Sequence, residues 1–340
     1  MAGTATQSHK EAGVDERTAD TWRHWLRQMV LIRRFEEKAG EAYSIGKIGG
    51  FCHLYIGQEA LAVGTLAALR PDDYVVSAYR EHGQALARGM SSRSVMAELY
   101  GKATGCSKGK GGSMHIFDVG LHFMGGHGIV GGQIPLGAGF AFSAKYRGTD
   151  QVSLCYFGEA AANIGAFHES LNMAGLWKLP AIFVIENNGY GMGTALARAA
   201  AITDLFERAA SYNMPGVVVD GQDVVSVHDA TTVAVQRARD ESTPTLMEIR
   251  TYRYVGHSMS DAAHGTYRTK DEVEQYRRRD PIEVLAARMR EAGLLDDAAM
   301  AALEQDVAAE VEDAVQFAEN SPEPDPSELY TDVYAPEGGH

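Results

Sequence analysis

Two short apolar runs, separated by one helix-like segment, constrain the fold of this chain more than any other feature. The runs are Val152–Phe157 and Ala181–Ile185, and the segment 163–176 between them carries apolar residues at helical spacing. Uninterrupted apolar runs of this length are typical of parallel strands that are buried on both faces. Because the strands of a strand–helix–strand unit run parallel in one sheet, the sequence predicts an α/β fold whose parallel sheet has helices on both faces.

The rest of the chain continues this alternation of strands and helices. The further predicted strands are Tyr74–Ser77, Val217–Val219 and Leu246–Ile249, and the further predicted helices are Thr18–Ala42, Gly57–Leu69, Val225–Arg239 and Ala298–Phe317. The segment 101–139 is rich in glycine, which predicts loops close to a ligand.

Length and composition are those of an ordinary globular protein with a substantial core. A chain of 340 residues with 45% hydrophobic and 22% charged residues suits one large α/β domain or two small ones, and no break in composition forces two. We predict a mobile arm over residues 1–15, the α/β domain with C-terminal helices over 16–320, and a Pro- and acid-rich tail over 321–340, which we also expect to be mobile.

The charge and the cysteines narrow the class of partner and the compartment. A net charge of −14 argues against nucleic acid or an anionic membrane as the main partner. The three cysteines form no CxxC pair, which is typical of reduced thiols. No apolar run reaches the roughly 18 residues needed to span a bilayer, and we recognise no signal peptide. We therefore expect a cytoplasmic protein.

Polar residues follow the two central strands at their carboxyl ends. Glu159 comes after the first strand and Asn188 lies at the end of the second. The carboxyl ends of parallel strands share one edge of the sheet, where ligands of open α/β sheets bind. Carboxylate and amide oxygens, with a backbone carbonyl and phosphate oxygens, can complete a Mg²⁺ site, and a helix that starts after Glu159 would favour phosphate. The spacing alone is equally compatible with a helix cap and a turn.

Several segments together resemble the alpha subunits of the thiamine-diphosphate-dependent 2-oxo acid dehydrogenases. The resemblance runs from about Trp25 to about Pro281, and it implies the diphosphate-binding half of the thiamine-diphosphate-binding fold. The segments that carry it are Gly50–Tyr55, Gly57–Ala60, Tyr79–Gly83, Lys110–His115, Gly126–Gly131, Gly158–Asn163, Trp177–Pro180, Glu186–Asn188 and Tyr254–Asp261.

The resemblance also implies roles for individual residues. The expected Mg²⁺ ligands are Glu159, Asn188 and the backbone carbonyl of Tyr190. The expected cofactor-binding residues, beyond these ligands, are Tyr79, Arg80, Gly128, Val130, Gly158, Ala160, Ala161 and His257. The expected catalytic residues are His53, His257 and, as a weaker candidate, His127. Histidines can change charge near neutral pH, which suits proton transfer or the stabilisation of an anion.

Two positions depart from the family motif. Its metal-binding aspartate is Glu159 here, and the glycine that follows is Ala160. The longer acid requires the metal or the backbone to shift, and the alanine adds a methyl group where the backbone meets the diphosphate. Both changes bear on metal affinity.

Within the family, the motifs are most similar to those of pyruvate dehydrogenase alpha subunits. This implies oxidative decarboxylation of a small 2-oxo acid with thiamine diphosphate and Mg²⁺, followed by transfer of the acyl group to a lipoyl-bearing acyltransferase. In this family a beta chain supplies the glutamate that activates the cofactor. We therefore expect an assembly of two alpha and two beta chains, and an inactive isolated chain.

Three alternatives remain open at this point. One is an acetoin or branched-chain 2-oxo acid dehydrogenase, since shared motifs do not separate these substrates. A nucleotide-binding module is disfavoured because no segment fits GxxxxGK[ST]. A non-catalytic paralogue would have lost metal binding through Glu159 and Ala160.

Overall fold

The computed structural model describes residues 15–261 and 267–334. Residues 1–14 of the predicted arm and 335–340 of the predicted tail lie outside this range. Across the described ranges, no helix is both long enough and apolar enough to pass through a bilayer.

Six parallel strands form the central sheet. They are β1 (Tyr74–Ala78), β2 (Phe123–His127), β3 (Ser153–Gly158), β4 (Ala181–Asn187), β7 (Gly216–Asp220) and β8 (Thr245–Arg250), and β5 (Tyr190–Gly191) pairs separately with β6 (Thr194–Ala195). The order across the sheet is β2-β1-β3-β4-β8-β7, and every neighbouring pair is parallel. The predicted parallel α/β fold is confirmed.

The described α-helices lie before, between and after these strands. They are α1 (Glu16–Ser44), α2 (Glu59–Ala67), α3 (His82–Ala87), α4 (Ser92–Leu99), α5 (Gln133–Arg147), α6 (Gly165–Trp177), α7 (Leu196–Ala199), α8 (Val224–Glu241), α9 (Lys270–Arg277), α10 (Pro281–Glu291) and α11 (Asp297–Asn320). Asp15 begins α1 by accepting a hydrogen bond from the backbone N–H of Thr18 at 2.8 Å, which satisfies one of the free donors of the first turn.

Alternate residues of each central strand point into two different cores. In β3, Leu154 and Tyr156 join the core that is formed with α1, α2 and α8. Cys155 and Phe157 join the second core, which contains residues of α5 and α6. This alternation is the normal consequence of the two-residue repeat of a strand. Because helices cover both faces, the carboxyl edge of the sheet is where a ligand can reach the strand ends.

Two local predictions need correction. The segment 101–139 contains β2 and the start of α5 as well as loops. Some of its glycines allow a helix and a strand to pack closely and do not mark a loop. A Cβ atom at Gly137 would lie 2.6 Å from the Cβ of Cys155, so the glycine lets α5 approach β3. In addition, a 3-10 helix over Glu159–Asn163 follows β3, and α6 begins only at Gly165.

The described part of the tail, 321–334, contacts the loop between α4 and β2. Lys108 pairs with Asp332 at 2.8 Å, and Lys110 pairs with Glu328 at 2.9 Å. Lys102 pairs with Glu323. The expectation of a mobile tail did not include these contacts, which arise because the acids of the tail meet three lysines of the loop.

Candidate functional site

The strand order reverses between β1 and β3. The chain passes from β1 to β2 on one side and then continues with β3 on the other side. Ligands of open α/β sheets bind beyond the carboxyl ends of the strands at such a point. A cleft lies there, between the residues that follow β1, β3 and β4, and both polar and apolar side chains line it.

Most of the predicted cofactor and metal residues line this cleft. They are Tyr79, Arg80, Val130, Gly158, Glu159, Ala160, Ala161, Asn188, Tyr190 and His257. His53 stands beside the cleft, since the centre of its ring is 4.5 Å from that of Tyr79 and 5.1 Å from that of His257. The fold therefore brings together residues that lie far apart in the sequence.

Besides His53, two further predicted residues are not among those that line the cleft. His127 ends β2, and its Nε2 lies 3.1 Å from the carbonyl oxygen of Met124, while its ring packs against Phe117. Gly128 follows it and lies beside the ring of His115. The structure thus gives His127 a partner within its own strand and does not group it with His53 and His257.

Glu159 carries a buried carboxylate oxygen without a partner. Glu159 is only 2% exposed, and no group within the described ranges hydrogen-bonds to its Oε1. Burial raises the pKa of this carboxyl group. An unsatisfied buried oxygen costs free energy, and a bound cation would remove that cost.

Asn188 lines the cleft beside Glu159. Its Nδ2 donates to Oε1 of Gln58 at 3.1 Å, while the hydrogen bond that its Oδ1 accepts within the described residues is a long one of 3.4 Å, from the backbone N–H of Tyr190. No group of three or more His, Cys, Asp and Glu side chains that could hold a metal exists in the described ranges. A cation here would therefore be held by one carboxylate, one amide oxygen, a backbone carbonyl and oxygens of the ligand.

The extra methyl group of Ala160 has space because residue 191 is glycine. A Cβ atom at Gly191 would lie 2.6 Å from the Cβ of Ala160. The chain therefore accommodates the departure from the family motif at position 160 without closing the cleft.

Two buried arginines face the cleft without a carboxylate partner among the described residues. Arg80 is 7% exposed and Arg253 is 1% exposed, and both line the cleft. Burial lowers the pKa of the Arg80 guanidinium. Burial and the nearby charge of Arg80 lower the pKa of Arg253 to about 10. A buried cation without a counter-ion is costly, so this pair is suited to an anionic ligand.

Arg80 also joins the two histidine segments. Its Nη1 donates to the carbonyl of Leu54 at 2.8 Å, and its Nη2 donates to the carbonyl of His257 at 2.7 Å. One guanidinium therefore holds the backbone next to His53 and the backbone of His257.

Both histidines have strongly lowered pKa values. Burial and the charge of Arg80 lower the pKa of His53 to about 2 and that of His257 to about 3. These shifts favour the neutral imidazole and do not support the prediction that the charge of either side chain changes near neutral pH. The unprotonated nitrogen of a neutral imidazole can accept a hydrogen bond, and Nδ1 of His53 is buried without a partner in the described part of the chain.

Arg253, Gln58 and Glu186 are among the lining residues that the sequence interpretation missed. Arg253 directly precedes the segment 254–261, and Gln58 and Glu186 lie inside segments that carry the resemblance. Glu186 accepts hydrogen bonds from Tyr55 at 2.5 Å and from Gln84 at 2.8 Å, and burial raises its pKa to about 7. Proximity to the motifs was the available signal for all three residues.

Comparisons with known proteins show the family to which the chain belongs. The family described as "Dehydrogenase E1 component" matches residues 27–327. A protein of Rhizobium meliloti, named "Pyruvate dehydrogenase E1 component subunit alpha", is 55% identical over 308 residues, which cover 90% of this chain and 88% of the relative. The protein of the same name from Zymomonas mobilis is 52% identical over 91% of this chain and 87% of its own length.

A human relative is similar over nearly the same region. It is named "Pyruvate dehydrogenase E1 component subunit alpha, somatic form, mitochondrial" and is 47% identical over 92% of this chain and 79% of its own length. The chain therefore belongs to the dehydrogenase E1 component family, which depends on thiamine diphosphate.

Proposed function

We propose that this chain is the alpha subunit of a pyruvate dehydrogenase and binds the diphosphate of thiamine diphosphate through Mg²⁺. The observation that carries the proposal is the cleft between β1 and β3, where an unsatisfied carboxylate oxygen, an oriented amide and two buried arginines converge. Relatives that are up to 55% identical and bear the pyruvate dehydrogenase name support this substrate over acetoin or a branched-chain 2-oxo acid.

The cation and the diphosphate would share the charged residues of the cleft. Glu159, Asn188 and the backbone carbonyl of Tyr190 would hold Mg²⁺, which prefers oxygen ligands. Arg80 and Arg253 would offset the negative charge of the phosphates, and a guanidinium can bind two phosphate oxygens at once. Because the site is buried, these interactions are stronger than they would be in water.

The histidines would act at the reacting end. When bound, thiamine diphosphate supplies the nucleophilic carbon and the electron sink for decarboxylation of a 2-oxo acid. His53 and His257, whose lowered pKa values favour the neutral imidazole, would accept hydrogen bonds from groups at that end. Arg80 would keep the two imidazoles side by side through its bonds to the carbonyls of Leu54 and His257.

The names of the relatives imply a beta subunit as partner. We propose an assembly of two alpha and two beta chains in the cytoplasm, in which the beta chain acts on the aminopyrimidine ring of the cofactor. The acyl group would pass to a lipoyl-bearing acyltransferase. His127 and Gly128 would contribute to this site only from outside the cleft.

Co-expression with the beta subunit tests the proposal. Decarboxylation of pyruvate and of 2-oxoisovalerate and cleavage of acetoin are assayed side by side, and calorimetry measures thiamine diphosphate binding with and without Mg²⁺. We expect Mg²⁺-dependent cofactor binding and the highest kcat/KM for pyruvate. A higher value for either other substrate would reject pyruvate, and tight ATP binding without thiamine diphosphate binding would reject the enzyme class.

A further inference from the structure

His53 lies in a segment that has no regular secondary structure and yet is buried. Residues 51–55 form neither helix nor strand, and 52–55 are buried. Buried backbone groups outside helices and sheets need partners from elsewhere. Ser113 provides one, since its Oγ accepts from the backbone N–H of His53 at 3.4 Å, and Glu36 provides another, since its Oε1 accepts from the backbone N–H of Tyr55 at 2.7 Å.

His82 connects these two anchors. Its Nδ1 is 2.9 Å from Oε2 of Glu36, and its Nε2 is 2.9 Å from Oγ and 3.0 Å from the carbonyl oxygen of Ser113. Glu36 belongs to α1, His82 begins α3, and Ser113 lies in the 3-10 helix Gly112–Met114. None of the three side chains reaches bulk solvent. The three residues therefore form one buried hydrogen-bond chain across separate segments.

A second acid, Glu81, lies next to this chain and helps to assign its charges. Glu36 accepts bonds from Tyr55 and His82, whereas Glu81 accepts one bond from Ile116 at 3.1 Å and leaves Oε2 without a partner in the described chain. A buried carboxylate needs donors, so the negative charge belongs on Glu36. Burial raises the pKa of Glu81 to about 8, which agrees with this assignment.

The carboxylate of Glu36 in turn favours the charged form of His82. Burial is the largest influence and opposes that charge, but the charge and hydrogen bond of Glu36, together with Glu81 and the carbonyl of Ser113, outweigh it in sum, and the pKa of His82 is raised. A doubly protonated His82 donates to Glu36 and to Ser113. Oγ of Ser113 is then an acceptor for both His82 and the backbone N–H of His53.

We propose that Glu36, His82 and Ser113 are positioning residues that fix the backbone at His53 and thereby keep its imidazole beside Tyr79 and His257. Nδ1 of His53 makes no hydrogen bond of its own within the described residues, so its place depends on how its backbone is held. The proposal rests on the proposed function, in which His53 acts at the reacting end. A displaced catalytic group slows the reaction more than it weakens binding.

Ser113→Ala in the full chain, co-expressed with the beta subunit, tests this inference. We expect kcat for pyruvate decarboxylation, followed with a dye as electron acceptor, to fall about tenfold or more. The KM for pyruvate and the affinity for thiamine diphosphate should change less than about twofold. Ser153→Ala is the matched control, because Oγ of Ser153 is also buried but makes no hydrogen bond in the described chain, at the amino end of β3. It should leave kcat unchanged.

Glu36→Gln, alone and combined with Ser113→Ala in a double variant, tests whether the two residues act as one unit. Residues that share one function give non-additive losses, so the double variant should lose at most about twice as much kcat as the worse single variant. The inference would be overturned if the fold-losses in kcat of the two single variants multiplied in the double variant. It would also be overturned if Ser113→Ala had the same kcat as Ser153→Ala. If Ser113→Ala does not assemble, an unchanged kcat in Glu36→Gln overturns it. A wild-type assembly that binds no thiamine diphosphate would refute the proposed function instead.

Discussion

Among the described residues, charged side chains are paired on the helical surface of α1 and α11, whereas several are unpaired at the carboxyl edge of the sheet. On the helical surface, Arg34 and Glu304 are half-exposed and meet through two hydrogen bonds of 2.7 and 2.8 Å. At the edge of the sheet, Glu159 has an unsatisfied oxygen, and Arg80 and Arg253 are buried without a carboxylate partner in the described ranges. Charged residues are almost never fully buried unless they are paired, so the unpaired ones mark the place where a ligand completes the structure.

This contrast separates stability from function in the molecule. The pairs on the helical surface contribute little to stability, because solvent screens them and their side chains lose entropy. The charges of the cleft oppose folding of the free chain and favour binding of an oppositely charged ligand. Changes in the cleft should therefore reduce binding strongly, and changes on the helical surface should reduce neither binding nor stability by much.

The largest effect is expected for Arg80→Met. The change removes a buried cation of the cleft and the hydrogen bonds to the carbonyls of Leu54 and His257. Loss of one partner of a buried charge pair costs several kcal/mol, and we expect thiamine diphosphate affinity, measured by calorimetry with Mg²⁺, to fall about 100-fold or more. Arg93→Met is the control, since Arg93 pairs with Asp313 on the surface. Equal affinities for both variants would contradict the contrast.

A smaller effect is expected for Glu159. We expect Glu159→Ala to weaken the apparent Mg²⁺ affinity by about 10- to 100-fold, because the cation loses its carboxylate ligand. Glu159→Asp keeps a carboxylate and should stay within about tenfold of the natural chain. Mg²⁺ titration monitored by cofactor binding measures both variants.

Thermal unfolding without metal or cofactor gives an independent readout for the same position. Glu159→Ala removes a buried oxygen that has no partner in the described chain, so the metal-free variant should unfold at the same temperature as the natural chain or higher. Unchanged Mg²⁺ affinity together with a lower unfolding temperature would show that Glu159 is a structural residue.

The sequence alone predicted those parts of the fold that have a local cause. The central strands were predictable because Val152–Phe157 and Ala181–Ile185 are continuous apolar runs, and their polar ends placed Glu159 and Asn188 at one edge. The strand β2 was not predictable because the segment 123–127 contains two glycines and little apolar pattern. The topological reversal between β1 and β3 depends on pairing between distant strands, which periodicity does not report.

The pKa values and unpaired charges of the site were harder to predict from the sequence than the residues that form it. The low pKa values of His53 and His257 arise because the fold buries both rings next to Arg80, and no local pattern encodes that proximity. Within the described residues Arg253 hydrogen-bonds to Val255, His257 and Tyr267 and not to a carboxylate, which is likewise a property of the folded chain. Resemblance to a family identified most of the cleft residues, but only the structure shows which of them are unpaired.

A moderate and pH-dependent effect is expected for Glu81→Gln. The folded pKa of Glu81, about 8, lies above the ordinary value of 4.5, so the folded state retains a proton that the unfolded state loses between these values. The free energy of unfolding of the natural chain therefore falls as pH rises through this window and is level above it. Glu81→Gln has no acid at this position and does not lose this stability. The unfolding temperature of the variant minus that of the natural chain should therefore increase from about pH 5 to about pH 8.

Thermal unfolding across the pH range measures this difference, with Glu16→Gln as control. Glu16 is an exposed acid in the first turn of α1, and its variant should show no comparable trend. A constant difference between Glu81→Gln and the natural chain at all pH values would mean that Glu81 is already ionised in the folded state, and that the buried charge beside His82 is shared differently.

The smallest effect is expected for Arg34→Met on the helical surface. Arg34 makes a two-pronged pair with Glu304 and a third contact with Glu37, so it is a favourable case among exposed pairs. Even so, such pairs contribute no more than about 1 kcal/mol to the free energy of unfolding. Denaturant unfolding should show a loss within that limit, and the loss should shrink at about 1 M salt because the charges are screened. Thiamine diphosphate affinity should not change. If it did, the helical surface would be coupled to the cleft through α1, which also carries Glu36 of the buried chain, and the two regions could not be treated as independent.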